Sequence, residues 1–194
     1  MLRALREGLG YVRRHSTIGP AIFLAAVMSL FGFPYIILLP AVAHGLDLDA
    51  RGLGYLMACV GAGAVVGGLA MSVFGAGAGG PRTAARGAVG FGIVLAGFAV
   101  VSSVRATMLL LFCLGALQTL TIASMTTVIQ TAVHDGMRGR VMSMITVVFF
   151  GFSTTGGLAA GIIGDHLTVP LVLASGGVVT AAVAMVLARS RPFA

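Results

Sequence analysis

Six long apolar runs, near residues 18–43, 53–75, 85–103, 107–132, 141–163 and 167–188, dominate this chain, and charge is confined almost entirely to the short segments around them. A helix crossing a bilayer needs about 20 mostly apolar residues. Hydrocarbon offers the backbone no hydrogen-bond partner, so each run must satisfy its own amides as a helix. The expected fold is an all-α membrane protein with six transmembrane helices. The arginines order those helices. Arg3, Arg6, Arg13 and Arg14 precede the first run, Arg82 and Arg86 lie between the second and third, Arg138 and Arg140 between the fourth and fifth, and Arg189 and Arg191 after the sixth. The intervening loops hold only Arg51 and Arg105, and the chain has no lysine. Cytoplasmic loops retain basic residues. The expected topology is therefore a multi-pass plasma (inner) membrane protein with both termini in the cytoplasm. Residues 1–17 read as a basic interfacial segment, 18–188 as the bundle and 189–194 as a cytoplasmic tail.

Composition narrows the function. The chain is 58% hydrophobic and 9% charged, whereas soluble domains carry about 25% charge. The net charge of +7 does not point to nucleic acid, because the arginines sit at span ends without interleaved exposed aromatics. The bilayer is the expected partner, each basic residue at an anionic leaflet contributing on the order of 1 kcal/mol. Cys59 and Cys113 fall inside apolar runs and read as small packing residues. No metal cluster, phosphate loop or nucleotide motif is present, so no cofactor is expected.

Prolines punctuate the spans. Pro20 and Pro170 suit helix starts. Pro34 lies mid-span and removes a backbone donor, which predicts a kink. Ala41-Val42-Ala43 resembles a secretory cleavage site, but the apolar stretch from Ala21 to Leu39 exceeds the roughly 7–15 residues of a signal core and contains Pro34. Leu2, Leu5, Leu9 and Val12 recur at helical spacing, which suits a segment lying in the interface. Gly63 with Gly67, and Gly157 with Gly161, carry the four-residue spacing that lets membrane helices approach closely.

The two halves of the chain echo each other. Arg51-Gly52 precedes Gly67-Gly68-Leu69-Ala70, and Arg138-Gly139 precedes Gly156-Gly157-Leu158-Ala159. The expected topology places these segments on opposite sides, so the echo is inverted. Inverted three-span repeats are a mark of secondary transporters, and a 3+3 inverted repeat is the expected architecture.

Chemistry has few places to reside. No Asp, Glu, Arg or His falls deep in a span, and an intramembrane charge is what marks an ion pathway. Uncharged polar residues gather in the fourth run instead: Gln118, Thr119, Thr121, Ser124, Thr126, Thr127, Gln130 and Thr131. Thr119, Ala123, Thr126 and Gln130 share one helical face, and Gln118, Thr121 and Ser124 a neighbouring one. Buried amides need partners, so this side is expected to meet protein or a wet cavity. Interhelical hydrogen bonding and a solute-binding wall both fit. Ser29, Phe31, Phe33 and Tyr35 surround the kink of the first span, and Ser153, Thr154 and Thr155 in the fifth read as packing. An intramembrane serine protease is excluded, since Ser153 stands in Gly151-Phe152-Ser153-Thr154 and every histidine lies at a span end. The chain is not expected to be an enzyme.

Several segments resemble the major facilitator superfamily. Glu7-Gly8-Leu9-Gly10-Tyr11-Val12-Arg13-Arg14-His15 is similar to the linker before span seven of its exporters. Phe31-Gly32-Phe33-Pro34 to Leu39-Pro40 resembles span seven, and Gly52-Leu53-Gly54-Tyr55-Leu56 with Gly61-Ala62-Gly63 the start of span eight. Arg138-Gly139-Arg140-Val141-Met142-Ser143 resembles the loop between spans ten and eleven, and Ala160-Gly161-Ile162-Ile163-Gly164-Asp165 the end of span eleven. The branch it most resembles holds the enterobactin-type siderophore and drug exporters. The loop from Gly75 to Arg86 departs from the family by lacking an acid.

The resemblance implies an efflux permease half. Gln118, Thr121, Thr126, Gln130, Ser29 and Tyr35 are then the expected lining of a cavity for a small amphipathic solute, and Arg138, Arg140 and Asp165 the expected gating residues. One six-span bundle supplies one wall, so the expected partner is a second six-span half, in the same or a separate chain, or a second copy. A start resembling the central linker suggests a piece of a twelve-span protein. The alternative is a non-transporting six-span protein that binds or regulates a membrane partner.

Overall fold

The computed structural model describes residues 18–74, 80–166 and 168–189. Among the described residues every regular element is helical. Helix α1, Ile18–Val27, passes through a π-wound segment, Met28–Gly32, into α2, Pro34–Gly45. There follow α3 (Ala50–Phe74), α4 (Pro81–Phe98), α5 (Val104–Ala132), α6 (Asp135–His166) and α7 (Val169–Ala188). Five units are long and apolar enough to cross a membrane: Ile18–Gly45, Ala50–Val73, Val104–Ala132, Asp135–Gly164 and Val169–Ala188. Helix α4, 18 residues long with Arg82 and Arg86 in its first two turns, is not among them. The basic segment 1–17 and residues 190–194 of the expected tail lie outside the described residues.

Local chemistry sets the boundaries. Pro34 has no amide hydrogen, so the α-helical ladder cannot pass through it. The chain widens instead, Phe33 N–H donating to Met28 O at 2.9 Å across five residues, and Pro34 opens α2. The expected kink is thus a π-segment followed by a helix restart. Pro170 stands in the first turn of α7, where a missing donor costs nothing. Asp49 precedes α3, and its Oδ1 accepts from Gly52 N–H at 2.8 Å, an N-cap. Helix α4 differs from the expected third span, 85–103. It starts four residues earlier because Pro81 supplies a first-turn residue after Gly80, and it ends at Phe98. The apolar residues Val100 and Val101 continue the hydropathic run into a turn, where Ser103 is extended ahead of α5.

Close contacts at glycines fix how the helices run. A methyl group on Gly63 would meet the Phe112 carbonyl, and one on Gly67 the Ala116 carbonyl, so α3 and α5 are parallel. Gly87 faces Thr121 and Gly90 faces Leu117, so α4 is antiparallel to α5. Gly92 faces Ala181 and Gly177 faces Ala96, so α4 is also antiparallel to α7. Leu30 faces Gly156 and Leu38 faces Gly164, which makes the α1–α2 unit parallel to α6. The expected pair Gly157 and Gly161 divides: Gly157 meets the Ile37 side chain, whereas Gly161 meets nothing within 4 Å. The second close glycine on α6 is Gly156, against the Leu30 backbone.

Direction therefore alternates along the chain. One end of the bundle carries Arg82, Arg86, Arg138, Arg140 and Arg189, and the opposite end Arg51 and Arg105. The core holds Leu24, Leu39, Leu56, Leu95, Leu111 and Leu114, all fully buried, with Tyr35 and Phe91 in edge contact at 6.0 Å between ring centres. Large apolar side chains remain exposed on every helix, from Phe23 on α1 to Leu171, Val178 and Val186 on α7, as lipid-facing surfaces require.

Candidate functional site in the bundle centre

The polar residues of α5 do not form one wall. This helix packs against α3, α4 and α1, so residues one turn apart meet different neighbours. Gln118 points to α2, where its Oε1 accepts from the Tyr35 hydroxyl at 2.7 Å. Ser124 turns to α3, its hydroxyl 3.6 Å from the Met71 sulfur. Thr121, expected on the cavity face, is fully buried; its hydroxyl donates to Leu117 O at 2.7 Å and abuts Gly87 of α4. Such a back-bond leaves no donor for a solute. Ser29 is also fully buried, within the π-segment, and its hydroxyl has no partner among the described residues. Gln130 is exposed near the end of α5.

Thr126 joins a different group. It lines a small void of about 30 Å³ with Ala25, Met28, Phe33, Met125 and Phe149, where α1, α5 and α6 converge. Phe33 meets Phe149 edge to face at 4.7 Å, and Phe149 meets Phe150 at 5.7 Å. Beside them a groove of about 180 Å³ is lined by Phe33, Ile36, Ile37, Ser153 and Thr154. Thr154 and Thr155 are exposed on α6, their hydroxyls bonded back to Phe150 O at 2.8 Å and Gly151 O at 3.0 Å. Their oxygens still have lone pairs to accept from a solute. Phe149, Phe150 and Thr154 were not expected here. The adjacent phenylalanines were a usable signal, but nothing in the sequence pairs them with Phe33, more than a hundred residues away.

The void and the groove are lined by neutral side chains throughout. They offer apolar and aromatic contact with weak polar orientation, in volumes smaller than the roughly 300–1,000 Å³ of a complete small-molecule site. A cleft of about 470 Å³ lies elsewhere. It sits between α1–α2, α6 and α7, lined by Leu30, Phe31, Pro34, Ile163 and Leu171 among others, and Ser175 is its one polar side chain. It opens where Phe31, Ile163 and Leu171 are exposed. An outward apolar crevice of this kind in a membrane suits acyl chains.

Two of the three expected gating residues, Arg138 and Arg140, lie at the arginine-rich end. Arg138 pairs with Asp135 at 3.1 Å, and its guanidinium donates to Gln130 O at 3.3 Å, tying the start of α6 to the end of α5. Arg140 lies 3.7 Å from the Met137 sulfur, and its carbonyl accepts from Ser143. Asp165 lies in the last turn of α6, at the opposite end, and its side chain is outside the described residues.

Residues 1–192 match a major facilitator family described as transmembrane secretion effector. No curated protein and no solved structure matches the chain.

Proposed function

Because the chain belongs to the transmembrane secretion effector family of the major facilitator superfamily, a family of membrane transporters, we propose that it is an efflux permease bundle. It supplies one wall of a central cavity for an amphipathic solute. The observation that carries this reading is the neutral aromatic and polar group at the meeting of α1–α2, α5 and α6: Phe33, Phe149 and Phe150, with Thr126, Thr154 and the linked Tyr35–Gln118 pair.

In this reading α4 is a sixth span. It is packed antiparallel against α5 and α7, both of spanning length, and its arginines reach out to the headgroups. Helix pairing supports a 3+3 inverted repeat. Exchanging the first three spans with the last three turns the α3–α5 contact into that of α6 with α1–α2. It turns α4–α5 into α7 with α1–α2 and leaves α4–α7 in place. The arginine-rich end faces the cytoplasm. The second wall is supplied by another six-span bundle, parallel to this one, because the solute site of these transporters lies between two bundles.

Replacing Gln118 and Gln130 with alanine, or Phe149 with alanine, lowers export of a neutral amphipathic dye such as Nile red from cells, at unchanged membrane abundance of the protein. Undiminished export from both variants overturns the site. Stable dye binding by the reconstituted chain without flux under any gradient, even with a partner bundle present, overturns the transport reading.

A further inference from the structure

Arg82, Arg86 and Arg189 lie together on the outside of the α4–α7 pair, away from the central site. Arg82, Arg86 and Ile93 fall four and then seven residues apart, so they share one face of α4. Ile93 is 59% exposed, which identifies that face as outward. Arg189 stands three helical turns beyond Val178, itself 58% exposed, on the outward face of α7. The helices are antiparallel, with Gly92 against Ala181 and Gly177 against Ala96. Continued along both helices, that register sets Arg189 level with the stretch between Arg82 and Arg86. All three arginines are exposed.

Nothing on these helices offsets the charge. Neither α4 nor α7 contains an acidic residue. Among the described residues at this end the carboxylate is Asp135, which Arg138 engages at 3.1 Å. Arg86 lies one turn, about 6 Å, deeper than Arg82. Each guanidinium must therefore rise along its own stem toward the interface, the deeper one beneath the headgroups.

We propose that this end of the α4–α7 pair binds one anionic phospholipid. Its phosphate is held by Arg82, Arg86 and Arg189, and its acyl chains lie along the apolar stripes that carry Ile93 and Val178. A guanidinium fits a phosphate with two parallel N–H donors, and basic pockets between transmembrane helices suit lipid headgroups. A second copy of this chain is disfavoured on this face, because two such faces would bring six arginines together without a counter-charge. The site rests on the reading of α4 as a sixth span, but it uses none of the central residues and does not depend on solute transport.

The test is native mass spectrometry of the full chain released from phosphatidylcholine nanodiscs doped with phosphatidylglycerol. One phosphatidylglycerol should be retained, saturably and in preference to phosphatidylcholine. Arg82→Gln, Arg86→Gln and Arg189→Gln should each weaken retention about fivefold, and the triple variant on the order of 100-fold. Arg51→Gln with Arg105→Gln, at the other end, should change nothing. Equal retention of the two lipids by the unaltered protein overturns the proposal without recourse to any variant. So does a folded triple variant that keeps the preference. Full displacement of the lipid by inorganic phosphate at matched concentration also overturns it, since the site would then be one for small anions.

Discussion

Gly92→Ala tests the packing that sets α4 against α7. A Cβ at this position would lie 2.5 Å from Ala181 N, 2.6 Å from Gly177 O and 2.8 Å from Ala181 Cβ. Ordinary van der Waals contact begins near 3.4 Å, so the closest approach falls short by almost an ångström. Two of the three obstructing atoms are backbone and the third is a Cβ, so no rotamer change relieves the contact. The helices must part. Overpacking of this kind costs about 1–3 kcal/mol, and the upper half applies because nothing soft can yield. Alanine returns up to about 1 kcal/mol through its better helix propensity, leaving a net loss of about 1–2 kcal/mol. Gly61→Ala is the control: nothing lies within 4 Å of its Cβ, so it should gain up to about 1 kcal/mol. Gly177→Ala should resemble Gly92→Ala. The double variant should cost less than the sum, because one separation of the helices relieves both contacts. The assay is equilibrium unfolding in mixed micelles followed by far-ultraviolet circular dichroism. If Gly92→Ala proves as stable as Gly61→Ala, close backbone approach is not what joins α4 and α7, and the packing argument is refuted.

The Tyr35–Gln118 hydrogen bond should show a coupling of about 0.6 kcal/mol, and no more than about 1.7, in a double-mutant cycle of Tyr35→Phe and Gln118→Leu read by the same unfolding assay. A coupling indistinguishable from zero would mean that the 2.7 Å contact contributes position only. Arg138→Gln should shift stability by less than about 0.5 kcal/mol, because its pair with Asp135 is exposed, 51% and 89% at the two side chains. A large loss would instead show that the tie from Arg138 to Gln130 O holds the α5–α6 turn.

Hydrocarbon made most of the fold legible from the sequence. A backbone in lipid has no partner but itself, so each long apolar run had to be a helix, and proline marked where helices begin or restart. Pro34 announced a break, and the π-segment Met28–Gly32 is how the chain accommodates it. Hydropathy blurred the end of α4, because Val100 and Val101 are as apolar in a turn as in a helix. The arginines told the two ends of the bundle apart, since an exposed charge is held at an interface whatever its neighbours.

The site was legible only in part, and for a physical reason. Composition along α5 showed that the helix is polar, but the direction of each polar side chain depends on which helices surround it. Three neighbours divide Gln118, Thr121 and Ser124 among α2, α4 and α3, although the sequence sets them within two turns. The same holds for Phe33 and Phe149, which meet because glycines at 156 and 157 let α6 close on the first span. The sequence by itself determined the helices, their limits to within a turn at most ends, and the end that gathers the arginines, because each answers to solvent and local backbone chemistry. Tertiary structure alone decided which side chains meet at the centre and which are spent on packing, because that depends on contacts between helices distant in the chain.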